Sequence, residues 1–251
     1  MATRPARRRM ARAKFDYRLA REGLGCTRNR RLTDYAKEFY PTDPVRLHDL
    51  LGAPEENGRT KRVCDVGCGY GHAAEDLRKT GFKVTAIDAF TRPTDGVAGA
   101  MEALPLHSNS QDRLLACVVH NYSFNKLKAL QEAHRVLVPG GVAVIQVHPE
   151  MPVVFKARGR SLRLALKDVL KFLQQQGHDL RLKEAKYGNR LTLEMHKNKP
   201  ALGLNARLTQ VYPLRGLDSV WLLPELEPAC EYHTNRKTFE RLEKFVSENR
   251  R

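Results

Sequence analysis

Long hydrophobic runs are missing from this chain of 251 residues, and aromatic side chains make up only 7% of it. Without a run of 18 apolar residues, no segment is predicted to span a membrane. The N-terminus also lacks the apolar region of a secretory signal. Hydrophobic residues still account for 41% of the chain, which is enough for a folded core. We therefore expect a globular protein, with the cytoplasm as its first expected location.

Cysteine is scarce as well. The five cysteines are Cys26, Cys64, Cys68, Cys117 and Cys230, an odd number that follows no metal-ligand spacing. This usage suits a reducing compartment, and no metal site is predicted. For Cys64 and Cys68 the alternatives are buried apolar fillers or a redox or zinc pair, and the first is favoured.

Acidic residues are few at both ends of the chain, so its net charge of +16 is unevenly placed. Residues 1–31 carry a net +9, residues 32–150 a net −2, and residues 151–251 again +9. A positive field of this kind favours polyanions, because each neutralised phosphate releases condensed counterions. RNA or a ribonucleoprotein is the partner we expect, and a merely solvated surface with a disordered tail is the alternative.

The arginine-rich residues 1–31 form a basic arm with three competing interpretations. It is an RNA-binding arm, a nuclear-type basic cluster or a mitochondrial presequence. Serine is absent from these residues, which weakens the presequence interpretation. The mitochondrial matrix and the nucleus are therefore alternatives to a cytoplasmic location.

The most informative stretch is VCDVGCGYGH, residues 63–72. An apolar run ends in Asp65, glycines follow at every second position, and a helix-like pattern comes next. This predicts strand, glycine turn and helix, the first unit of a nucleotide-binding α/β sheet. The dinucleotide spacing Gly-x-Gly-x-x-Gly fails because His72 occupies its last position. The turn also lacks a lysine or serine for phosphates, so we expect a nucleoside ligand without a phosphate chain.

This stretch resembles the first motif of class I S-adenosylmethionine-dependent methyltransferases. A second block, ALPLHSNSQD at residues 103–112 with LQEAHRVLVPGGVAVI at 130–145, is similar to the quinone- and sterol-methyltransferase-like branch. The resemblance covers about residues 60–148. It implies an α/β Rossmann-like fold with a mostly parallel seven-stranded sheet, an antiparallel closing hairpin and helices on both faces. S-adenosylmethionine is the implied cofactor.

Three regions are predicted: the basic arm at 1–31, a methyltransferase domain at 32–199 and a C-terminal extension packed on it at 200–251. Residues 32–51 are predicted to form two short helices, which either close over the cofactor, as the resemblance implies, or simply cover the sheet edge. Predicted strands of the domain lie at 62–66, 83–87, near 97, at 114–119 and at 142–147. Predicted helices lie at 71–79, 126–138 and 161–176. A hairpin is predicted around Tyr187–Asn189, and a terminal helix at 238–249.

Ligands of open α/β sheets bind beyond the carboxyl ends of the strands. By resemblance, Asp65 supports the turn and reaches the methionine amino group, whereas Asp88 accepts from both ribose hydroxyls. A helix cap on the residues from Thr91 onward is the alternative for Asp88. The residues expected to contact the cofactor are Asp65, Gly67, Cys68, Gly69, Gly71, Asp88, Ala89, Ala100, Met101 and Val118.

The adenine end departs from the resembled family, because Ala100 stands where an acid accepts from the adenine amino group. The backbone N–H of Met101 is expected to bind the ring and its side chain to pack on it, and Glu102 is a possible substitute for the acid. Loss of one buried hydrogen bond costs ~1 kcal/mol, which weakens binding without abolishing it.

Candidate catalytic residues follow the fourth and fifth strands. His120 and Tyr122 come after strand four and His148 after strand five, where an acceptor would meet the methyl group, although single histidines are often structural. Strand four is not followed by an Asn/Asp-Pro-Pro-aromatic motif or a Pro-Cys nucleophile. By resemblance this disfavours methylation of exocyclic base amines and of cytosine C5.

Three functions remain open at this point. The chain is a methyltransferase acting on RNA or on a protein within an RNA particle, a small-molecule methyltransferase, or a catalytically silent RNA- or ribosome-associated binding protein. The charge distribution favours the first over the second, and the intact glycine turn with Asp88 argues against full decay of the pocket.

Overall fold

The computed structural model describes residues 51–69, 71–89, 95–117, 123–184, 191–202, 204–213 and 228–249. In chain order the strands are β1 (Glu55–Glu56), β2 (Arg59–Thr60), β3 (Arg62–Val66), β4 (Lys83–Asp88), β5 (Val97–Ala98), β6 (Gln111–Ala116), β7 (Leu137–Val147), β8 (Pro152–Ala157), β9 (Arg160–Ala165), β10 (Asp179–Glu184), β11 (Leu191–His196), β12 (Ala206–Pro213) and β13 (Pro228–Thr234). The helices are α1 (His72–Lys79), α2 (Lys126–Val136), α3 (Leu166–Gln175) and α4 (Arg236–Asn249). The basic arm, residues 32–50, Trp221 and the turn at Tyr187–Asn189 lie outside the described residues.

The central sheet has seven strands in the order β10-β11-β7-β6-β3-β4-β5. Strands β3 to β7 pair in parallel, whereas β11 runs antiparallel to both of its neighbours. The predicted Rossmann-like sheet with its antiparallel closing hairpin is confirmed. The carboxyl ends of β3, β4, β6 and β7 therefore meet at one edge, where ligands of such sheets bind.

The helix predicted after the fourth strand begins as expected and ends earlier. The Asn125 side chain accepts from the Lys128 N–H at 3.0 Å and caps α2. The buried face of α2 includes Leu127, Leu130 and His134, as the periodicity predicts. The helix stops at Val136 because Leu137 already pairs with Gln111 of β6.

A second sheet, of four strands, has the order β12-β13-β8-β9. Strand β13 pairs in parallel with β8, whereas β8 with β9 and β12 with β13 are antiparallel. This sheet joins the segment after β7 to the C-terminal part of the chain. It is an addition beside the seven-stranded core.

The prediction of one helix over residues 161–176 is wrong for its first five residues. Arg158 and Gly159 have φ of 47° and 76°, which turn the chain back so that residues 160–165 pair with β8. Leu162 and Leu164 suit an alternating strand as well as a helix, so the periodicity did not separate the two. The helix begins only at Leu166.

The motif residues of the second block serve the fold. Glu132 accepts from the Leu104 N–H at 3.1 Å and from Arg135 at 2.8 Å, and Arg135 donates to the carbonyls of Leu104 and Leu106. Burial by itself raises the pKa of Glu132, but Arg135 and then Lys128 outweigh it and hold the pKa below the ordinary value. This Glu132–Arg135 clamp fixes the loop at Leu104–Leu106 to α2.

Asp112 anchors the other end of that block. It accepts from the Arg62 backbone N–H at 2.8 Å and from the Arg59 side chain. Gly99 is also constrained there, because a Cβ on it would lie 2.6 Å from Cδ of Pro105. These contacts keep the loop before β6 close against β3 and β4.

Tyr232 of β13 ties the second sheet to the start of α2. Its hydroxyl donates to Asn125 Oδ1 and accepts from the Leu127 N–H, both at 3.1 Å. Its ring is 1% exposed and lies 5.8 Å from the ring of Phe155, centroid to centroid. In the described part of the chain no helix is long and apolar enough to cross a membrane.

We expect Tyr232→Phe to lower the free energy of unfolding by about 1–2 kcal/mol, because the Leu127 N–H loses its acceptor in a buried place. Urea denaturation followed by circular dichroism measures this. Ser161→Ala removes an exposed hydroxyl from the same sheet and should change stability by less than about 0.5 kcal/mol. Equal effects of the two substitutions would contradict the assigned role of Tyr232.

Candidate functional site

A cradle of main-chain atoms follows β3. Gly67, Gly69 and Gly71 all have left-handed φ, at 74°, 54° and 87°. Side chains other than glycine rarely adopt this conformation, which explains the alternating glycines of the sequence. The N–H groups of Gly67 and Cys68 both donate to the Ile87 carbonyl, at 2.8 and 3.1 Å, and so tie the turn to the end of β4.

The cradle is open on one side. A Cβ added to Gly69 would meet no atom within 4 Å. No neighbouring group of the chain would clash with a side chain at Gly69, and yet the turn exposes bare backbone there. This is the arrangement that the sequence predicts for close approach of a ligand.

Asp65 lies under the cradle and is fully buried. No donor among the described residues is in hydrogen-bonding geometry with either of its carboxylate oxygens. Burial, followed by the charge of Asp88, raises the pKa of Asp65 to about 7, and the Ala74 N–H and Arg78 offset only part of this. A buried carboxylate whose charge is offset only in part is costly, so a cation placed here would stabilise the charged form.

Asp88 occupies the end of the next strand and is 9% exposed. Its Oδ2 accepts from the Gly69 N–H at 3.0 Å, and its carbonyl accepts from the Gly99 N–H at 3.0 Å. The structure thus brings Asp65, Asp88 and the glycine turn together at one edge, as predicted. The helix-cap alternative for Asp88 concerns residues outside the described part.

The adenine side is arranged differently from the sequence-based expectation. Met101 is 1% exposed and its side chain belongs to the main core, so only its backbone is left for the expected contact with a ring. Ala100 is also buried, whereas Ala89 is exposed. Glu102 accepts from the Asn125 N–H at 3.3 Å and therefore serves the start of α2.

The candidate catalytic residues are only partly described. Val118, His120 and Tyr122 lie outside the described residues. His148 directly follows β7 and is half-buried, and its carbonyl accepts from the Met151 N–H at 3.3 Å. Since β6 lies between β3 and β7, His148 ends a strand two places from Asp65.

Cys64 and Cys68 are both free and buried. Burial raises the pKa of each thiol far above its ordinary value, so both remain protonated. This agrees with the interpretation of the two cysteines as apolar fillers.

One part of the site was missed by the sequence analysis. Strand β13 contacts the start of α2 through Tyr232 and through Cys230, whose Sγ lies 3.3 Å from the Phe124 carbonyl. Residues 118–122, the predicted acceptor segment, come immediately before. The hairpin signal at Arg158–Gly159 could have revealed β8 and β9, but the pairing of Val153 with Cys230, 77 residues later, leaves no local pattern.

Comparison with known proteins gives a consistent family. Residues 64–145 match the family described as methyltransferase domain. The malonyl-[acyl-carrier protein] O-methyltransferase of Pectobacterium atrosepticum is 31% identical over 119 residues, which cover 43% of this chain and 46% of the relative. The enzyme of that name from Enterobacter lignolyticus is 34% identical over 107 residues, covering 39% and 43%. The chain thus spans less than half the length of these curated relatives.

Solved structures with a related fold are more distant in sequence. A 1,6-didemethyltoxoflavin-N1-methyltransferase from Burkholderia thailandensis, with bound 1,6-didemethyltoxoflavin and S-adenosylhomocysteine, is 20% identical, covers 79% of this chain and 92% of its own, and has a TM-score of 0.47. A methyltransferase in complex with the Haloferax volcanii Trm112 activator is 16% identical, with 67% and 94% covered and a TM-score of 0.44.

The buried Asp65 makes stability depend on pH. Between the unfolded pKa near 4 and the folded pKa of about 7, the folded state holds a proton that the unfolded state releases, so stability falls as pH rises and levels off above 7. We expect Asp65→Asn to match the parent protein near pH 4.5 and to exceed it by about 2–4 kcal/mol at pH 8. Denaturant unfolding at both pH values measures the difference.

Asp95→Asn is the control, because Asp95 is an exposed carboxylate paired with Arg78. It should show no advantage that grows with pH. A gap between Asp65→Asn and the parent that stays constant from pH 4.5 to pH 8 would contradict the raised pKa.

Proposed function

The chain carries a class I S-adenosylmethionine-dependent methyltransferase domain, and from this premise we propose that it methylates RNA or a protein within an RNA particle. The cofactor follows from the domain family. The acceptor is inferred from the charge of the chain. The observation on which the proposal rests is the open glycine cradle above the buried Asp65, whose charge the Ala74 N–H and Arg78 offset only in part.

The described residues fit this cofactor. The Asp65 carboxylate, which has no donor among the described residues, suits the ammonium group of the methionine part. The open space at Gly69 lets the cofactor approach the main chain closely. Asp88 lies at the end of β4, where its carboxylate can accept hydrogen bonds from the ribose hydroxyls. Bound there, S-adenosylmethionine supplies an electrophilic methyl group on a positively charged sulfur.

The chain's own contribution to the transfer is alignment and exclusion of water. The acceptor atom approaches from the carboxyl edge of β6 and β7, and its lone pair forms the new bond to carbon while sulfur retains the electron pair of the broken one. The acceptor proton passes to a base where the nucleophile is an oxygen or ring nitrogen. His148, His120 and Tyr122 are the candidates for this role or for positioning the acceptor.

The preference for RNA comes from the basic face of the second sheet, which we define as Lys156, Arg163, Arg207 and His233. Lys156 lies opposite His233, and His233 lies opposite Arg207, so these three form a row across β8, β13 and β12. Glu231 is the acidic residue among these strands; it is 6% exposed and pairs with Lys156 at 2.8 Å. The exposed charges of this face are therefore positive.

This face lies on the side of the sheet opposite to the one through which Tyr232 contacts the start of α2, because successive residues of a strand point to opposite faces. The net +9 of residues 1–31 lies outside the described part and adds to the same preference. Phosphate contacts of this kind position the substrate without reading its sequence.

The second candidate is a small-molecule methyltransferase, favoured by the curated relatives, which are O-methyltransferases of malonyl-[acyl-carrier protein]. A silent binding protein is the third candidate, favoured by Ala100 at the adenine end. Transfer of radiolabelled methyl groups separates the three. RNA or ribosomal particles become labelled under the proposal, small carboxylic acids under the second candidate, and neither under the third.

Cofactor binding has a matched test in two glycines. We expect Gly69→Ala to weaken S-adenosylhomocysteine binding by at least about tenfold, because its Cβ would enter the open cradle. Gly159→Ala imposes the same left-handed strain, at φ 76° and equally without contacts within 4 Å, but outside the site, and should leave affinity within about twofold. Titration calorimetry measures the affinity of both variants. Replacing Gly67 by a bulky residue should abolish S-adenosylhomocysteine binding while the chain still folds.

Absence of heat and of any thermal shift at about millimolar S-adenosylhomocysteine would reject the cofactor assignment. Equal losses in Gly69→Ala and Gly159→Ala would show that the cradle is misplaced.

RNA binding is tested on the basic face. We expect the triple variant Lys156→Ala, Arg163→Ala, Arg207→Ala to reduce the slope of log affinity against log salt by about 2 for a single-stranded RNA, because three phosphate contacts are lost. Lys79, Lys83 and Lys171 are exposed elsewhere, and their triple alanine variant is the charge-matched control. Filter binding at several salt concentrations gives the slopes.

Deletion of residues 1–31 should lower the slope further. Equal slopes for the two triple variants would contradict the basic face, and affinity independent of salt would reject RNA as the partner.

A further inference from the structure

A second cavity lies at the opposite edge of the central sheet. It encloses about 690 Å³ between the loop before β6, the last turns of α2 and the segment after β11. Because β11 runs antiparallel to β7, its end lies at the start of β7, away from the carboxyl ends that form the cofactor cradle. No contact of the proposed methyl transfer uses this cavity.

His134 forms part of its buried floor. The side chain is 2% exposed and its Nε2 has no hydrogen-bond partner among the described residues. Burial, then the charges of Lys197 and His178, lower the pKa of His134 to about 4, so the ring is neutral at neutral pH. A buried ring nitrogen without a partner is rare in folded proteins and marks a place where a ligand atom or a water binds.

Cations lie around this floor on α2 and on the segment after β11. Lys197 is 8% exposed and donates to Asn109 Oδ1 at 2.7 Å and to the Leu137 carbonyl at 2.8 Å, so its charge is held by neutral acceptors. Burial and the charge of Arg135 lower the pKa of Lys197, and burial with the charge of Lys199 lowers that of His178. After burial, neighbouring positive charges contribute to each of these lowered pKa values, which indicates a positive potential inside the cavity.

The nearby acid does not neutralise this potential. Glu132 already binds Arg135, Lys128 and the Leu104 N–H. At the exposed rim, Lys199 donates to the Gln176 carbonyl at 2.8 Å, a contact that an anion can replace because the side chain is long and solvated. Ser108 and Asn198 add exposed polar groups at the same rim.

We propose that this cavity is a binding site for a phosphate group, contacted by Nε2 of His134 on the floor and by Nζ of Lys199 at the rim. A phosphate offers several acceptor oxygens to such converging donors. The cavity is larger than a phosphate ion, and Pro139, Pro200 and Leu202 line the remainder with apolar surface. The phosphate therefore belongs to a larger molecule, either a small phosphomonoester or the backbone of RNA.

The experiment uses the full chain without cofactor, so its outcome does not depend on the proposed methyl transfer. Adenosine monophosphate is titrated at constant ionic strength while the imidazole resonances of ¹³C,¹⁵N-histidine are recorded, with adenosine and sodium chloride as the comparison ligands. We expect a saturable shift of the His134 resonances with the monophosphate and a His134 pKa that rises in the complex, because the bound anion favours the charged ring.

Lys199→Met keeps the aliphatic stem and should weaken monophosphate binding by about fivefold or more, whereas Lys171→Met, an equally exposed lysine of α3, should stay within about twofold. His134→Phe removes the floor contact and should abolish the saturable shift of the neighbouring amides. Lys199→Met keeps the test valid if His134→Phe does not fold.

The remaining outcomes either identify the molecule that carries the phosphate group or overturn the proposal. One competitor is an RNA oligonucleotide that has internal phosphates only. If it binds more tightly than adenosine monophosphate, the ligand is RNA. If the monophosphate binds more tightly, the ligand is a small phosphomonoester. Equal shifts with adenosine, equal shifts with chloride, or equal losses in the two lysine variants would each overturn the phosphate site.

Discussion

The pairing of two carboxylates at neighbouring strand ends is the constraint on which the rest of the structure depends. Parallel pairing of β3 with β4 brings Asp65 and Asp88 to the same edge, and Asp65 is buried there without a donor among the described residues. Two like charges in a dry place oppose folding. The fold tolerates them because the strands beneath are held by a large apolar core.

The motifs within the residues that match the methyltransferase domain model divide into two physical roles. The glycine turn presents bare backbone, and its left-handed residues have no other explanation in the described contacts. The later block works differently: Asp112, Glu132 and Arg135 bind backbone groups of neighbouring loops and helices. They position the loop before β6 against α2 and β3. A motif can therefore mark a family by its architecture alone.

The sequence predicted the central sheet well because each strand and helix of the parallel part has a local pattern. The glycine spacing located the cradle. The positive net charge of residues 1–31 and 151–251 set these two regions apart from the nearly neutral residues 32–150. The second sheet could not be predicted, since β13 pairs with β8 across a long separation and residues 161–165 satisfy two periodicities. The burial of Met101 and the contact of Glu102 with Asn125 depend on packing, which spacing does not encode.

The parallel pairing of β13 with β8 has a consequence for the order in which the protein is made. Strands β3 to β7 leave the ribosome together and find their neighbours within a short stretch, whereas the β8–β9 hairpin keeps one edge open until β13 has been synthesised. That exposed edge is a template for intermolecular strand pairing during translation. The second sheet is thus completed late in synthesis, and nascent chains are most prone to aggregate before β13 has been made.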